Sequence, residues 1–281
     1  MGSGAEADFA RSCVSSITSS GHRASLLTSD GVRIEAAHAP RTASGGAPSD
    51  DLVVVLAHGF SGALERPALR RAAAAFTQRA AVITFSFRGH GRSGGHSTVG
   101  DREVHDLAAA VRWARSLGYR RVATVGFSMG GSVVLRHAAI YGQGERGGRT
   151  GAHTDLVVAV SSPARWYYRG TASMRRLHWV ITRPIGRLVS RLGLRTRIHP
   201  EDWDPVPLSP TEAVPLIAPT PLLLVHGDRD PYFPVDHPHM LMAAADPAST
   251  ELWLEHGFGH AENAAEPELL ERIGEWITEH G

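Results

Sequence analysis

VGFSMGG, residues 125 to 131, sets a hydroxyl, Ser128, between two glycines directly after an apolar run. Glycine weakens strands and helices alike. Gly126 and Gly130 therefore imply a backbone bent more tightly than side chains would allow. RVATVGF (121–127) reads as a buried strand and SVVLRHAAIY (132–141) as a helix. G-x-S-x-G between a strand and a helix is the context of a nucleophile elbow, which lifts a serine off the carboxyl edge of a sheet. The pattern alone is weak in a chain with 30 glycines. The flanking strand and helix carry the reading.

Outward from the elbow, apolar runs alternate with helical patterns. LVVVLAH (52–58), AVITFSF (81–87), DLVVAVSS (155–162), PLLLVHG (221–227) and ELWLEHG (251–257) read as strands. ALRRAAAAFTQRA (68–80) and REVHDLAAAVRWARSL (102–117) read as helices, and EPELLERIGEWITEH closes the chain as another with Pro267 in its first turn. RASLLTSDGVRIEAAHA reads as a hairpin turning at Asp30-Gly31. QGERGGRTGAHT (143–154) reads as a Gly-rich surface loop. The alternation predicts an α/β fold, a mostly parallel sheet with helices on both faces. Residues 163–219 hold several prolines and no convincing strand, which predicts an inserted helical cap. The expected organisation is a flexible segment over 1–22, a core of 23–162 and 220–281, and the cap between its halves.

Bulk composition narrows the function. The 281 residues are 42% hydrophobic, enough for a sizeable core. A formal net charge of +1 gives no reason to expect nucleic acid. All 29 basic residues are arginine, so no catalytic lysine is available. The single cysteine, Cys13, excludes an internal disulfide and a thiolate cluster, and its polar surroundings argue against a nucleophile. The first 22 residues lack the apolar core of a signal peptide, MGSGAE lacks the myristoylation pattern, and no run is long enough to span a bilayer. These readings predict a cytoplasmic protein.

A serine hydroxyl needs a base, and the base an orienting acid. GFGHAEN puts His260 in a loop between the last strand and the last helix, and HGDRDP puts Asp228 and Asp230 after the preceding strand. Serine, acid, histidine is the chain order expected on this fold. The amide of Met129, next to the serine, is one expected oxyanion donor, and the loop after LVVVLAH supplies the other. His58 and His226 end strands and are read as loop supports. His237 and His239 are two metal-ligand types without a third, and read as surface residues.

HGFSG (58–62), RGHGRS (88–93), GFSMGG (126–131), HGDRD (226–230) and GFGHAE (257–262) together resemble the α/β-hydrolase superfamily of serine esterases, lipases and thioesterases. The resemblance covers roughly residues 23–281 apart from the cap. It implies that Asp230, the second aspartate of HGxxD, is the catalytic acid and Asp228 a turn residue. It assigns the second oxyanion donor to the amide of Phe60. Serine at the elbow separates the chain from dehalogenases and epoxide hydrolases of this fold, which attack with a carboxylate. The absence of lysine separates it from lysine-assisted hydroxynitrile lyases.

The cap has its own signature. Residues 165–200 contain nine arginines and no acid. Arg183, Arg187, Arg191 and Arg195 recur every four residues, as on one helix face, and Leu177, Ile181, Ile185, Leu188 and Leu192 form an apolar stripe on another. Pro184 is expected to separate two helices. The plainer reading is a solvated arginine face with its stripe seated on the sheet domain. The sharper one is a cap enclosing an acyl pocket, with arginines that favour anionic substrates such as acyl-CoA or an anionic membrane surface. Binding a substrate ammonium needs acidic groups, and this segment offers none until Glu201 and Asp202, which speaks against an aminopeptidase. Trp166, Tyr167 and Trp179, with Phe60 and Met129, are candidate pocket residues.

The expected chemistry is cleavage of a carboxylic ester or thioester by Ser128, His260 and Asp230, with no metal or organic cofactor. Acyl transfer or thioester cleavage in a biosynthetic pathway remains open beside it. So does a non-catalytic small-molecule binding protein on the same scaffold. The sequence leaves the oligomeric state open.

Overall fold

A nine-stranded sheet runs through the computed structural model, which describes residues 16–18, 21–42, 51–142 and 151–281. Three antiparallel strands lead: β1 (Ser16–Thr18), β2 (Gly21–Leu27) and β3 (Arg33–Ala39). Gly31, at φ 83°, turns the hairpin as its sequence predicts, and its amide donates to the Thr28 carbonyl. The sheet thus begins at Ser16, inside the stretch expected to be flexible. Cys13 and residues 143–150 of the Gly-rich loop lie outside the described residues.

The remaining strands are β4 (Leu52–Ala57), β5 (Ala81–Phe85), β6 (Arg121–Phe127), β7 (Leu156–Val160), β8 (Leu222–Gly227) and β9 (Thr250–Glu255). They run parallel to one another, and β3 pairs antiparallel with β5. The continuous apolar runs are the strands buried on both faces. Along β4, Val53, Val55 and Ala57 enter one core with residues of α2 (Glu103–Ser116) and α3 (Met129–Ile140). Leu52, Val54 and Leu56 alternate into the other core, with α1 (Pro67–Phe76) and α9 (Pro267–His280). β4 has β5 on one side and β6 on the other, so the winding reverses there. In open α/β sheets such a switch point opens a crevice at the carboxyl ends of the strands.

Between β7 and β8 come α4 (Ala172–Thr182), α5 (Pro184–Val189), a wide turn at Ser190–Leu194 and α6 (Pro210–Ala213). The periodic reading of this segment needs correction. Arg183 is extended and Arg195 left-handed, so the four arginines do not share one helix. Leu177 and Ile181 are half-buried, but Ile185, Leu188 and Leu192 face solvent rather than the sheet domain. Helical spacing groups residues on a face without saying which way the face turns. A further helix, α7 (Asp236–Ala244), carries Pro238 in its first turn, where no intrahelical donor is lost. The last turn of helix before α9 is α8 (Ala261–Ala264). Among the described residues no helix is long and apolar enough to cross a membrane.

Candidate active site

Ser128 joins β6 to α3 with φ 53° and ψ −114°, a backbone region that costs a non-glycine residue energy. The glycines make the bend feasible. A Cβ on Gly126 would lie 2.2 Å from the Gly130 carbonyl oxygen, and one on Gly130 would lie 2.1 Å from that of Ala57. The Ser128 amide donates to the Val160 carbonyl at 2.8 Å, tying the bend to β7. Helix α3 starts at Met129, three residues earlier than its apolar pattern suggests, so its amino-terminal turn lies directly beneath the serine.

Three distant segments meet there. His260 Nε2 lies 2.8 Å from Ser128 Oγ, and His260 Nδ1 lies 2.7 Å from Asp230 Oδ2. A carboxylate only accepts, so Nδ1 carries the ring hydrogen and Nε2 accepts from the serine hydroxyl. Asp230 Oδ1 accepts from the amides of Tyr232 (2.8 Å) and Phe233 (3.0 Å), which fixes the carboxylate plane. Its side chain is fully buried, and that of His260 is 15% exposed. The rings of Tyr232 and Phe233 sit 4.4 and 5.6 Å from the imidazole and hold it from the side. Asp228 stands apart in an exposed turn, accepting from His256 Nδ1 and the Gly257 amide.

The loop after β4 approaches from the other side. Among the described residues the amides of Phe60 and Met129 meet no acceptor. The Gly59 amide is held by Glu262, whose Oε1 accepts at 2.9 Å. A Cβ on Gly59 would lie 3.3 Å from Ser128 Cβ, which measures how closely the loop passes. Burial pushes the Glu262 carboxyl above its ordinary range, against the Gly59 hydrogen bond and the nearby His260. Glu262 is a site residue that sequence reasoning left without a role. It falls within GFGHAE, but nothing local marks a carboxyl that turns inward.

His58 acts as a loop support: Nδ1 donates to the Gly59 carbonyl (2.7 Å) and Nε2 accepts from the Phe87 amide (3.0 Å). His226 Nε2 likewise donates to the Phe233 carbonyl at 2.8 Å. His237 is a correction. It is buried rather than on the surface, and its Nδ1 accepts from the Ala164 amide at 2.9 Å.

A cavity of about 580 Å³ opens above Ser128. Phe60, Met129, Trp166 and Tyr167 line it, joined by Val99, Leu177 and Ile181. Trp179 does not: it turns outward on α4 beside Arg175 and Arg176. The loop 97–100 forms one wall and is shaped by Glu103. That buried carboxylate accepts from Ser97 Oγ and Thr98 Oγ1 and from the amides of Thr98 and Gly100. The RGHGRS stretch contributes Arg88, whose buried guanidinium binds Asp106 and Asp30 and steadies the neighbouring turn.

Fold and site together define a hydrolase of the α/β class with a serine at its elbow. Residues 54–273 match the Alpha/beta hydrolase family, and the chain belongs to that family. No curated protein matches the chain. Among solved structures, an esterase from Pyrococcus furiosus superposes with a TM-score of 0.69 at 21% identity over 92% of each chain. An α/β hydrolase from Penicillium sp. sh18 gives 0.69 at 17% identity, over 92% of this chain and 98% of its own. An α/β serine hydrolase without lid from Xanthomonas campestris gives 0.59 at 16% identity over 94% of each chain. At these identities the likeness shows the shared fold.

Proposed function

We propose that this protein is a serine hydrolase that cleaves a carboxylic ester or thioester through an acyl-enzyme. One observation carries the reading: the unbroken hydrogen-bonded chain from Ser128 through His260 to Asp230, with distances of 2.8 and 2.7 Å. Ser128 Oγ attacks the carbonyl carbon as its proton passes to His260 Nε2. Asp230 holds the imidazole and stabilises the imidazolium. The amides of Phe60 and Met129, which meet no acceptor among the described residues, receive the oxyanion. The tetrahedral adduct collapses and expels the alkoxide or thiolate, which takes the proton from His260. Water attacks the acyl-serine by the same route, releasing the carboxylic acid and restoring the Ser128 hydroxyl.

Val99, Met174, Leu177 and Ile181 give an apolar acyl or alcohol group larger than acetyl a surface to pack on, and charged residues that include Glu201 and Asp202 line the same cavity. Arg187 lies in the lining as well, so a charged leaving group such as that of an acyl-CoA belongs in the test. A fluorophosphonate probe is expected to add once, at Ser128, by intact-mass and peptide analysis. S128A is expected to lose labelling and turnover across an ester and thioester panel graded by length and charge. Folded wild-type protein that takes no label and turns over no ester would point to a binding protein instead. Recovery of a transferred acyl group on an added alcohol would point to acyl transfer.

A further inference from the structure

We propose that the outward face of residues 183–195 docks on an anionic lipid bilayer surface. Ile185, Leu188, Val189 and Leu192 are spaced to share one side of α5 and the turn after it, and they are 68, 54, 50 and 73% exposed. The inward positions are the small ones, Gly186 and Ser190, both buried. Gly186 packs so closely on α4 that a Cβ there would lie 2.5 Å from the Trp179 carbonyl oxygen. The amphipathic sense is therefore inverted. The small residues seat the segment and the large apolar ones meet solvent, the arrangement of an interfacial segment rather than of a core helix.

Charge names the partner. Arg183, Arg191 and Arg195 are exposed around the apolar face. Of the nine arginines in residues 165–200, only Arg165 reaches a carboxylate, Asp236 at 3.2 Å, among the described residues. The whole chain has a formal charge of only +1, so the balancing negative charge lies elsewhere and the molecule is polarised. An anionic headgroup layer satisfies the arginines while its acyl boundary takes the aliphatic side chains. A second copy of this chain, paired two-fold through the same face, would bring two uncompensated arginine clusters together. Met174, Leu177 and Ile181 on α4 line the cavity, so the docked face lies beside the roof of the site rather than across the molecule from it.

The experiment is vesicle flotation of the full chain with phosphatidylcholine alone and with phosphatidylcholine mixed with phosphatidylglycerol. Binding is expected only to the mixed vesicles, and is expected to weaken steeply with salt. L188S/L192S and R183Q/R191Q/R195Q are each expected to weaken it, the arginine triple by roughly a hundredfold at low salt. Neither should change turnover of a water-soluble ester or the thermal midpoint. The arginine variant removes no buried contact, so it decides the matter if the leucine variant misfolds. No flotation with mixed vesicles, equal flotation with both kinds, or binding untouched by both variants would overturn the proposal. So would a dimer in light scattering that dissolves in L188S/L192S without any vesicle binding. Fluorophosphonate labelling of Ser128 is read separately, so failure here is distinct from failure of the hydrolase assignment.

Discussion

The backbone amide of Gly59 donates to Glu262 Oε1 at 2.9 Å, joining the loop after β4 to the helical turn that follows His260. That bond spans two segments far apart in the chain and places the Phe60 amide relative to the histidine. E262A is expected to lower kcat by roughly 10- to 100-fold with KM within about threefold, because a misplaced donor costs most in the transition state. E262Q keeps an acceptor for Gly59 and is expected to stay within about threefold of wild type. Steady-state kinetics on a soluble ester decide it. Unchanged kcat in E262A would mean that the loop holds its shape without this anchor.

The same residue has a stability signature. Burial raises the Glu262 carboxyl above its ordinary value of 4.5, so the fold favours its neutral form. That contribution is full below about pH 4.5 and is lost as pH rises through the folded value. The stability of E262Q relative to wild type is therefore expected to improve from pH 4.5 towards pH 8. Urea unfolding across that range measures it, and a flat difference would contradict the buried carboxylate.

Trp166 and Trp179 provide a paired test of the cavity. Trp166 lines it, with Nε1 donating to the Pro207 carbonyl at 2.9 Å and its ring 5.0 Å from that of Trp203. Trp179 faces out. W166A is expected to shift the ester preference towards bulkier acyl groups, and W179A to leave it unchanged. A chain-length series of esters reads both. A shift in W179A of the same size would place the acyl group on the outside of α4.

What was legible in the sequence had local physical causes. The elbow demands glycine at 126 and 130 because any side chain there would strike backbone, and that demand is written in seven residues. The buried strands show as unbroken apolar runs because both faces are covered. Glu262 was not legible, since its role depends on a loop that only the folded chain brings near. Nor was the outward turn of Ile185, Leu188 and Leu192. Their spacing is that of any amphipathic helix, and only the close seating of Gly186 on α4 fixes which side points away. Trp179 went astray for the same reason.

His137 sets an acid limit on the fold. It lies fully buried in α3, its ring 4.9 Å from that of Tyr141, and neither ring nitrogen meets a partner among the described residues. Burial, with Arg112 and His153 nearby, holds its pKa down at about 3 against an ordinary 6.5. Burial also depresses His58 and His237, the latter to about 4. Each imidazole must be neutral in the folded state and takes a proton once unfolded. Stability is therefore full above about pH 6.5 and falls as pH drops from there towards the folded values. Each such group contributes a slope of about 1.4 kcal/mol per pH unit within its window. H137F removes one of them, so its stability is expected to fall less steeply than wild type between pH 6 and pH 4, by about one proton's worth of slope. Urea unfolding at pH 6, 5 and 4 measures that slope for both proteins. Equal slopes would mean that His137 takes up a proton in the folded state as readily as in the unfolded one.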